Sequence, residues 1–100
     1  MDTTSGAPQV TNNTGAERFE IAMDGSMAVL QYGIRNDRLF IYHTEVPAAF
    51  RGRGYGDLLA RTALTFARDR GLQVAPLCPF VQAFIQRNPE FAAGAAGPVG

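Results

Sequence analysis

The chain has 100 residues, 46% of them apolar, enough to bury one core and too few for two. Its formal net charge is zero, which excludes the strongly basic surface through which proteins grip nucleic acid or anionic lipid. One cysteine, Cys78, excludes an internal disulfide, residues 1–15 lack the charged start and apolar run of an export signal, and no apolar run is long enough to cross a bilayer, so a soluble, cytoplasmic protein with no metal-binding cluster is expected.

Residues 1–16 are small, polar and turn-prone, and residues 92–100 are rich in Gly, Ala and Pro. Neither segment has the apolar surface to offset the entropy of ordering, so both are expected to be loose tails around a folded domain over 17–91. Within that domain "ERFEIAM" alternates Phe19, Ile21 and Met23 on one face, and Asp24-Gly25 is a tight-turn signal. "SMAVLQYGIR" alternates again through Ala28, Leu30, Tyr32 and Ile34. Asn36-Asp37 tolerates positive φ and closes a second turn into "RLFIYHTEV". Three antiparallel strands result.

After Pro47 the period becomes helical, with Leu59, Ala63, Phe66 and Ala67 on one stripe between Asp57 and Arg70, and Gly71 at the C-terminal cap. "LQVAPLC" reads as a short strand parallel to residues 38–46 by a right-handed crossover. Pro79 suits the first turn of a second helix, "FVQAFIQRN", which Pro89 stops. The fold class is α+β, in the order β-β-β-α-β-α: an antiparallel three-stranded meander, a parallel β-α-β crossover and a C-terminal helix. Leu58, Leu59, Leu64, Phe66, Phe80 and Ile85 read as core on the helix faces, and Arg61, Arg68 and Arg70 as a solvated helix surface.

The stretch "VPAAFRGRGYGDLLA" places three glycines and two arginines just before the first helix. Glycine lets the backbone approach a ligand, the first helical NH groups and the dipole attract anions, and Arg51 and Arg53 have fork geometry suited to phosphate oxygens. The run lacks the lysine and Ser/Thr of a Walker loop and the spacing of a dinucleotide fingerprint. A pyrophosphate fits, and so does a flexible connection.

These residues resemble the acetyl-CoA signature of the GNAT superfamily of N-acetyltransferases, [RQ]-x-x-G-x-[GA] at a helix start, which maps onto Arg51, Gly54 and Gly56. "HTEVP", the glycine run and "PLCPFVQAFIQRNPEF" in that order resemble the short, single-domain branch of that superfamily over residues 17–91. The resemblance implies a minimal GNAT-like fold without the two helices that cover the acceptor in longer members, which agrees with the two-residue turn at Asp24-Gly25. It implies that Arg51, Gly52, Arg53, Gly54, Tyr55 and Gly56 hold the CoA pyrophosphate. The pantetheine arm then lies along His43 to Val46, and the Val46 NH points at the acetyl carbonyl as an oxyanion donor.

His43 and Glu45 lie two apart on a strand, the spacing of a base and its orienting carboxylate. The alternative is His43 packed among Leu39 and Ile41 with Glu45 paired to an arginine. Cys78, just before a helix start, is a candidate nucleophile or acyl carrier, or a small buried hydrophobe. Two residues depart from the family pattern: Phe84, where tyrosine is expected as the acid for the leaving thiolate, and Asn88, in "NPEF", where histidine is expected. The expected activity is direct transfer of an acetyl group from acetyl-CoA to an amine, a small molecule or a protein lysine, by a monomer or weak homodimer. The alternatives are a CoA or acyl-CoA binding module and an acyl carrier acting through Cys78.

Overall fold

The structure, a computed structural model, describes residues 9–94. Five strands form one sheet in sequence order: β1 (Thr11–Asn13), β2 (Arg18–Met23), β3 (Ser26–Arg35), β4 (Arg38–Glu45) and β5 (Gln73–Pro76). The first four run antiparallel to their neighbours, and β5 joins β4 in parallel after helix α1 (Tyr55–Asp69) crosses over. Helix α2 (Pro79–Arg87) and a 3-10 turn, Pro89–Gly94, follow β5.

Local chemistry accounts for most boundaries. Gly25 takes φ 68° in the turn that puts Met23 opposite Ser26. Asn36 and Asp37 take φ 52° and 64° between Arg35 and Arg38, the left-handed pair that matches hairpin twist. Gly71, with φ 70°, follows the last turn of α1, and Pro79 occupies the first turn of α2, where its missing NH costs nothing.

The tails need correction on both sides. Residues 11–13, expected to be loose, form an edge strand, because the Tyr32 hydroxyl donates to Asn12 at 2.6 Å and the Asn13 amide donates to Glu20 at 3.0 Å. At the other end the chain continues in 3-10 form to Gly94, with Phe91 buried against Phe84. Residues 1–8 and 95–100 of the expected tails lie outside the described residues.

One face of the sheet carries Phe19 and Ile21 from β2, Leu30 and Tyr32 from β3, Leu39 and Ile41 from β4 and Val74 from β5. Helix α1 lays Leu59, Ala60, Ala63, Leu64 and Ala67 on it, and α2 adds Val81, Phe84 and Ile85, in one continuous core. Each fully buried aliphatic side chain contributes about 1.5–3 kcal/mol. The small residues on α1 let its axis approach the sheet closely. Two expected core positions are not core: Ile34 is 42% exposed and Phe80 38% exposed. Among the described residues no helix covers the opposite face, where the rings of Phe40 and Tyr42 stack at 6.4 Å.

Candidate functional site

The site begins with an irregularity in β4. Gln31 of β3 faces His43, but the next residue, Tyr32, faces Ile41, so Tyr42 is an extra residue, a β-bulge. Before it, Leu39 and Ile41 point into the core and Phe40 points out. At the bulge Tyr42 and His43 are both exposed, and the inward face passes to Thr44. Strict alternation would have put His43 with Leu39 and Ile41; the extra residue turns it to the open face instead, together with Glu45. Gly33 is what the bulge packs on, since a β-carbon there would lie 3.1 Å from the Tyr42 hydroxyl.

The same bulge ends the pairing with β5. The parallel ladder runs from Arg38 opposite Gln73 to Ile41 opposite Pro76 and stops. The Ile41 carbonyl accepts both the Leu77 NH (3.0 Å) and the Cys78 NH (3.1 Å). Beyond it the strands diverge, leaving residues 42–45 of β4 without a β5 partner. The result is a V-shaped opening whose apex is at Ile41.

The glycine run closes the other end of this opening. A 3-10 turn, Ala48–Phe50, follows Pro47; Arg51 is extended, and Gly52 and Gly54 take φ 81° and 85°. A side chain at either position would meet no atom within 4 Å, so backbone conformation and not space requires glycine there. Gly54 is the N-cap of α1 and accepts the Leu58 NH through its carbonyl. Among the described residues the NH groups of Gly52, Arg53 and Gly54 make no backbone hydrogen bond, and those of Tyr55, Gly56 and Asp57 lie in the first helical turn, where no intrahelical partner exists. These six successive donors stand at the positive end of a 15-residue helix.

Gly56, which lines the cleft, also has a steric role. A β-carbon on it would come within 2.7 Å of the Phe80 ring, so its small size seats an aromatic side chain from α2. Phe80, read from periodicity as core, is therefore a wall of the opening. The whole forms one cleft of about 640 Å³, lined by His43 to Val46, Phe50 to Gly52, Gly54 to Asp57 and Phe80. Arg51 lines it and donates through Nε to the Val46 carbonyl at 3.1 Å. The Arg53 guanidinium lies over the Phe50 ring at 5.4 Å, so the pair of phosphate-facing arginines expected from sequence reduces to one in this arrangement. Asp57 also lines the cleft, and Arg87 of α2 holds it at 3.3 Å, offsetting a negative charge at a helix start.

His43 Nε2 and Glu45 Oε1 are 3.7 Å apart and more than half exposed, so the structure does bring them together, at the cleft edge on the open face. Cys78 is 4% exposed and is the N-cap of α2, not the end of a strand. Its thiol donates to Thr44 Oγ1 at 3.5 Å, and Thr44 in turn lines the cleft. Phe84 is 1% exposed, beneath the guanidiniums of Arg61 and Arg87. Phe84 is not among the residues that line the cleft. Asn88 caps α2, donating to the Phe84 carbonyl at 2.9 Å. Arg61 and Arg68 lie over the Phe91 ring and Arg70 over Phe66, so the arginines read as a solvated surface cover aromatic faces.

A bulged strand splayed from its parallel neighbour, with a glycine loop and helix start across the gap, is a specific arrangement, and comparison with known proteins agrees with it. The family described as GCN5-related N-acetyl-transferase matches residues 18–94. The chain belongs to the GCN5-related N-acetyltransferase family. Among similar proteins, Protein NATD1 of Gallus gallus is 35% identical over 84 residues, covering 81% of this chain and 76% of that protein. Protein NATD1 of Homo sapiens is 34% identical over 84 residues, with 81% and 74% covered. The fold is shared with a GCN5-like protein of Staphylococcus aureus known from a solution NMR structure, at a TM-score of 0.70 and 22% identity, covering 89% of this chain and 88% of that one.

Proposed function

We propose that the protein is an acetyl-CoA-dependent N-acetyltransferase that transfers the acetyl group directly to an amine. The observation that carries this reading is the cleft itself: the glycine loop and the first turn of α1, whose NH groups have no intrahelical acceptor, at one end and an unpaired strand edge at the other, joined in one volume. The NH groups suit the pyrophosphate of CoA, with the Arg51 guanidinium beside it. An extended pantetheine arm satisfies the free edge of β4 as β5 does farther along, by backbone hydrogen bonds. The thioester then lies along the unpaired stretch from His43 to Val46, where the Val46 NH is the oxyanion donor that the resemblance implies.

The amine approaches from the open face, on which His43 and Glu45 lie. The amine nitrogen attacks the thioester carbon, His43 takes the proton with Glu45 orienting it, and the carbon–sulfur bond breaks. Among the described residues nothing covers that face, so the acceptor is held by a small surface and presents its amine from a larger molecule or at modest affinity. Burial of Cys78 behind Thr44 argues against the acyl-carrier alternative. A CoA-binding module with little catalysis is the second reading, supported by phenylalanine at position 84 and by the uncovered open face among the described residues. The single cysteine suits the reducing cytoplasm.

Thermal unfolding against acetyl-CoA, with dephospho-CoA and ATP as comparators, tests the reading. A ligand at a hundred times its Kd stabilises by about 2.7 kcal/mol, a shift of roughly 4–8 °C per kcal/mol in a domain this small. A CoA-specific shift followed by acetylation of an amine supports the enzyme; the shift with no transfer to any amine supports the binding module; no shift removes both.

A further inference from the structure

We propose that the Thr44 hydroxyl meets the sulfur of the departing CoA and that Cys78 is the positioning residue that aims it; the inference rests on the acetyl-CoA reading above. Breaking the thioester leaves an electron pair on sulfur, and that charge needs a donor at the end of the arm away from the pyrophosphate. The family resemblance implies this donor on α2. Phe84 is buried out of the cleft, and Phe80, which does line it, has no hydrogen to give. Of the cleft-lining residues two carry hydroxyls, Thr44 and Tyr55. Tyr55 opens α1 at the pyrophosphate end, with its ring against Phe50. Thr44 stands on the unpaired stretch of β4, between Val46 and the apex at Ile41.

Three features converge on Thr44. The Tyr42 bulge turns it inward, where unbroken alternation would have left it on the open face. The Ile41 carbonyl fixes the Cys78 backbone at the apex through the Cys78 NH at 3.1 Å. The buried Cys78 thiol then donates to Thr44 Oγ1. A hydroxyl that accepts from behind has its own hydrogen left to give forward, and a donated hydrogen bond at its oxygen polarises it in that direction. The step balances with His43 as its one proton carrier: the C–N bond forms, the amine proton passes to His43, the C–S bond breaks, the electron pair stays on sulfur under the Thr44 O–H, and the thiolate takes its proton from water after release. Thr44 touches a reacting atom and is catalytic in that sense; Cys78 acts through it.

Because the acceptor is open, the test reads CoA itself. The thiol of bound CoA is titrated by the ultraviolet absorbance of its thiolate, with the desulfo-CoA complex as blank so that Cys78 cancels. The proteins compared are wild type, Thr44→Val, Thr44→Ser and Cys78→Ala. A hydrogen bond to a thiolate lowers the pKa of the bound thiol, so Thr44→Val is expected to raise it by about one pH unit, roughly tenfold in acidity. Thr44→Ser is expected to keep the wild-type value and Cys78→Ala to fall between. The other titratable or charged groups facing this cleft, His43 and Glu45 on β4, Arg51 on the loop and Tyr55 and Asp57 on α1, are unchanged between the Val and Ser variants, so their difference isolates the hydroxyl. Should Thr44→Val fail to fold, Thr44→Ala makes the same comparison. CoA bound with the same thiol pKa with and without the hydroxyl overturns the assignment and leaves the acetyl-CoA reading standing. Failure of the wild type to bind CoA removes that reading and the assignment with it.

Discussion

The two halves of β4 are made from one continuous strand and do opposite work. From Arg38 to Ile41 it is hydrogen-bonded on both sides, to β3 and to β5, and Leu39 and Ile41 are fully buried. From His43 to Glu45 it is paired on one side only, and His43 and Glu45 are exposed. One extra residue, Tyr42, separates them. The stable half satisfies its backbone with protein; the functional half keeps donors and acceptors for something else. A binding edge here is what a strand presents after its neighbour has left.

That contrast is broken most severely from the stable side. Leu39 is 0% exposed in the middle of the core, and Leu39→Ala is expected to cost about 2–5 kcal/mol by lost transfer energy and the cavity left behind. A domain of this size has about 5–15 kcal/mol in total, so the loss is visible as a large fall in Tm. The molecules that remain folded should bind CoA with unchanged affinity, because Leu39 contributes nothing to the cleft. An affinity loss beyond the folded fraction would show that the halves are not separable.

The opposite probe, Gly54→Val, addresses the donor side of the cleft. Gly54 has φ 85° and no atom near its missing β-carbon, so the substitution acts through backbone alone. A left-handed conformation costs a β-branched residue roughly 1–2 kcal/mol. The helix start is expected to relax toward negative φ, turning the NH groups of 52–57 apart, with a fall in CoA affinity larger than the fall in stability. Calorimetric titration beside a melting curve separates the two.

How far these differences were legible depends on whether their cause is local. The turns at Gly25 and Asn36-Asp37, the proline at the start of α2 and the glycine at the end of α1 are short-range chemistry, and each stands where the residues put it. The loop from Arg51 to Gly56 was legible as a motif for the same reason. The order of Thr11–Asn13 was not, since Asn is a poor strand former and its partners, Tyr32 and Glu20, are remote in sequence. The bulge left no local mark: Tyr42 looks like any strand residue, and only the two registers of β3 against β4 reveal it. The spacing put His43 and Glu45 on one face, and the bulge is why that face is the open one and not the face of Leu39 and Ile41, the alternative. Phe80 and Phe84 exchanged roles for a similar reason. Both sit on an apolar stripe of α2, and which one meets the cleft is decided by Gly56, a residue of another helix. Cys78 read as a strand end because the ladder to β5 stops earlier than its apolar residues do.

On the functional half itself, His43→Gln removes the proposed base while changing no buried contact. Stability is expected to stay within about 0.5 kcal/mol, as for exposed sites generally, and CoA affinity to hold. Acetyl transfer to an amine should fall by about a hundredfold or more if His43 takes the proton, the usual worth of a positioned base. A rate equal to wild type at every pH would move the proton to solvent.

The smallest effect separates two carboxylates that lie in one row of the open face, where Glu20 faces Val29 and Val29 faces Glu45. Glu20 is held by Arg18 and by the Asn13 amide, and these hydrogen bonds, Arg18 first, keep its carboxyl below the usual carboxylate range despite some desolvation. Glu45 has only His43 at 3.7 Å. A carboxyl whose native pKa is depressed adds stability that is present above its unfolded value, near 4.5, and is lost as pH falls through the native one. Wild type should therefore lose Tm on descending from about pH 5 to pH 3, with Glu20→Gln showing a shallower loss over the same interval. Because Glu20 also anchors β1 through Asn13, hydrogen exchange in residues 11–13 should rise across that interval in wild type. Equal acid limbs in wild type and Glu20→Gln would mean that the Glu20 carboxylate adds nothing to the hold on β1 beyond its ladder with β2 and the Tyr32–Asn12 bond.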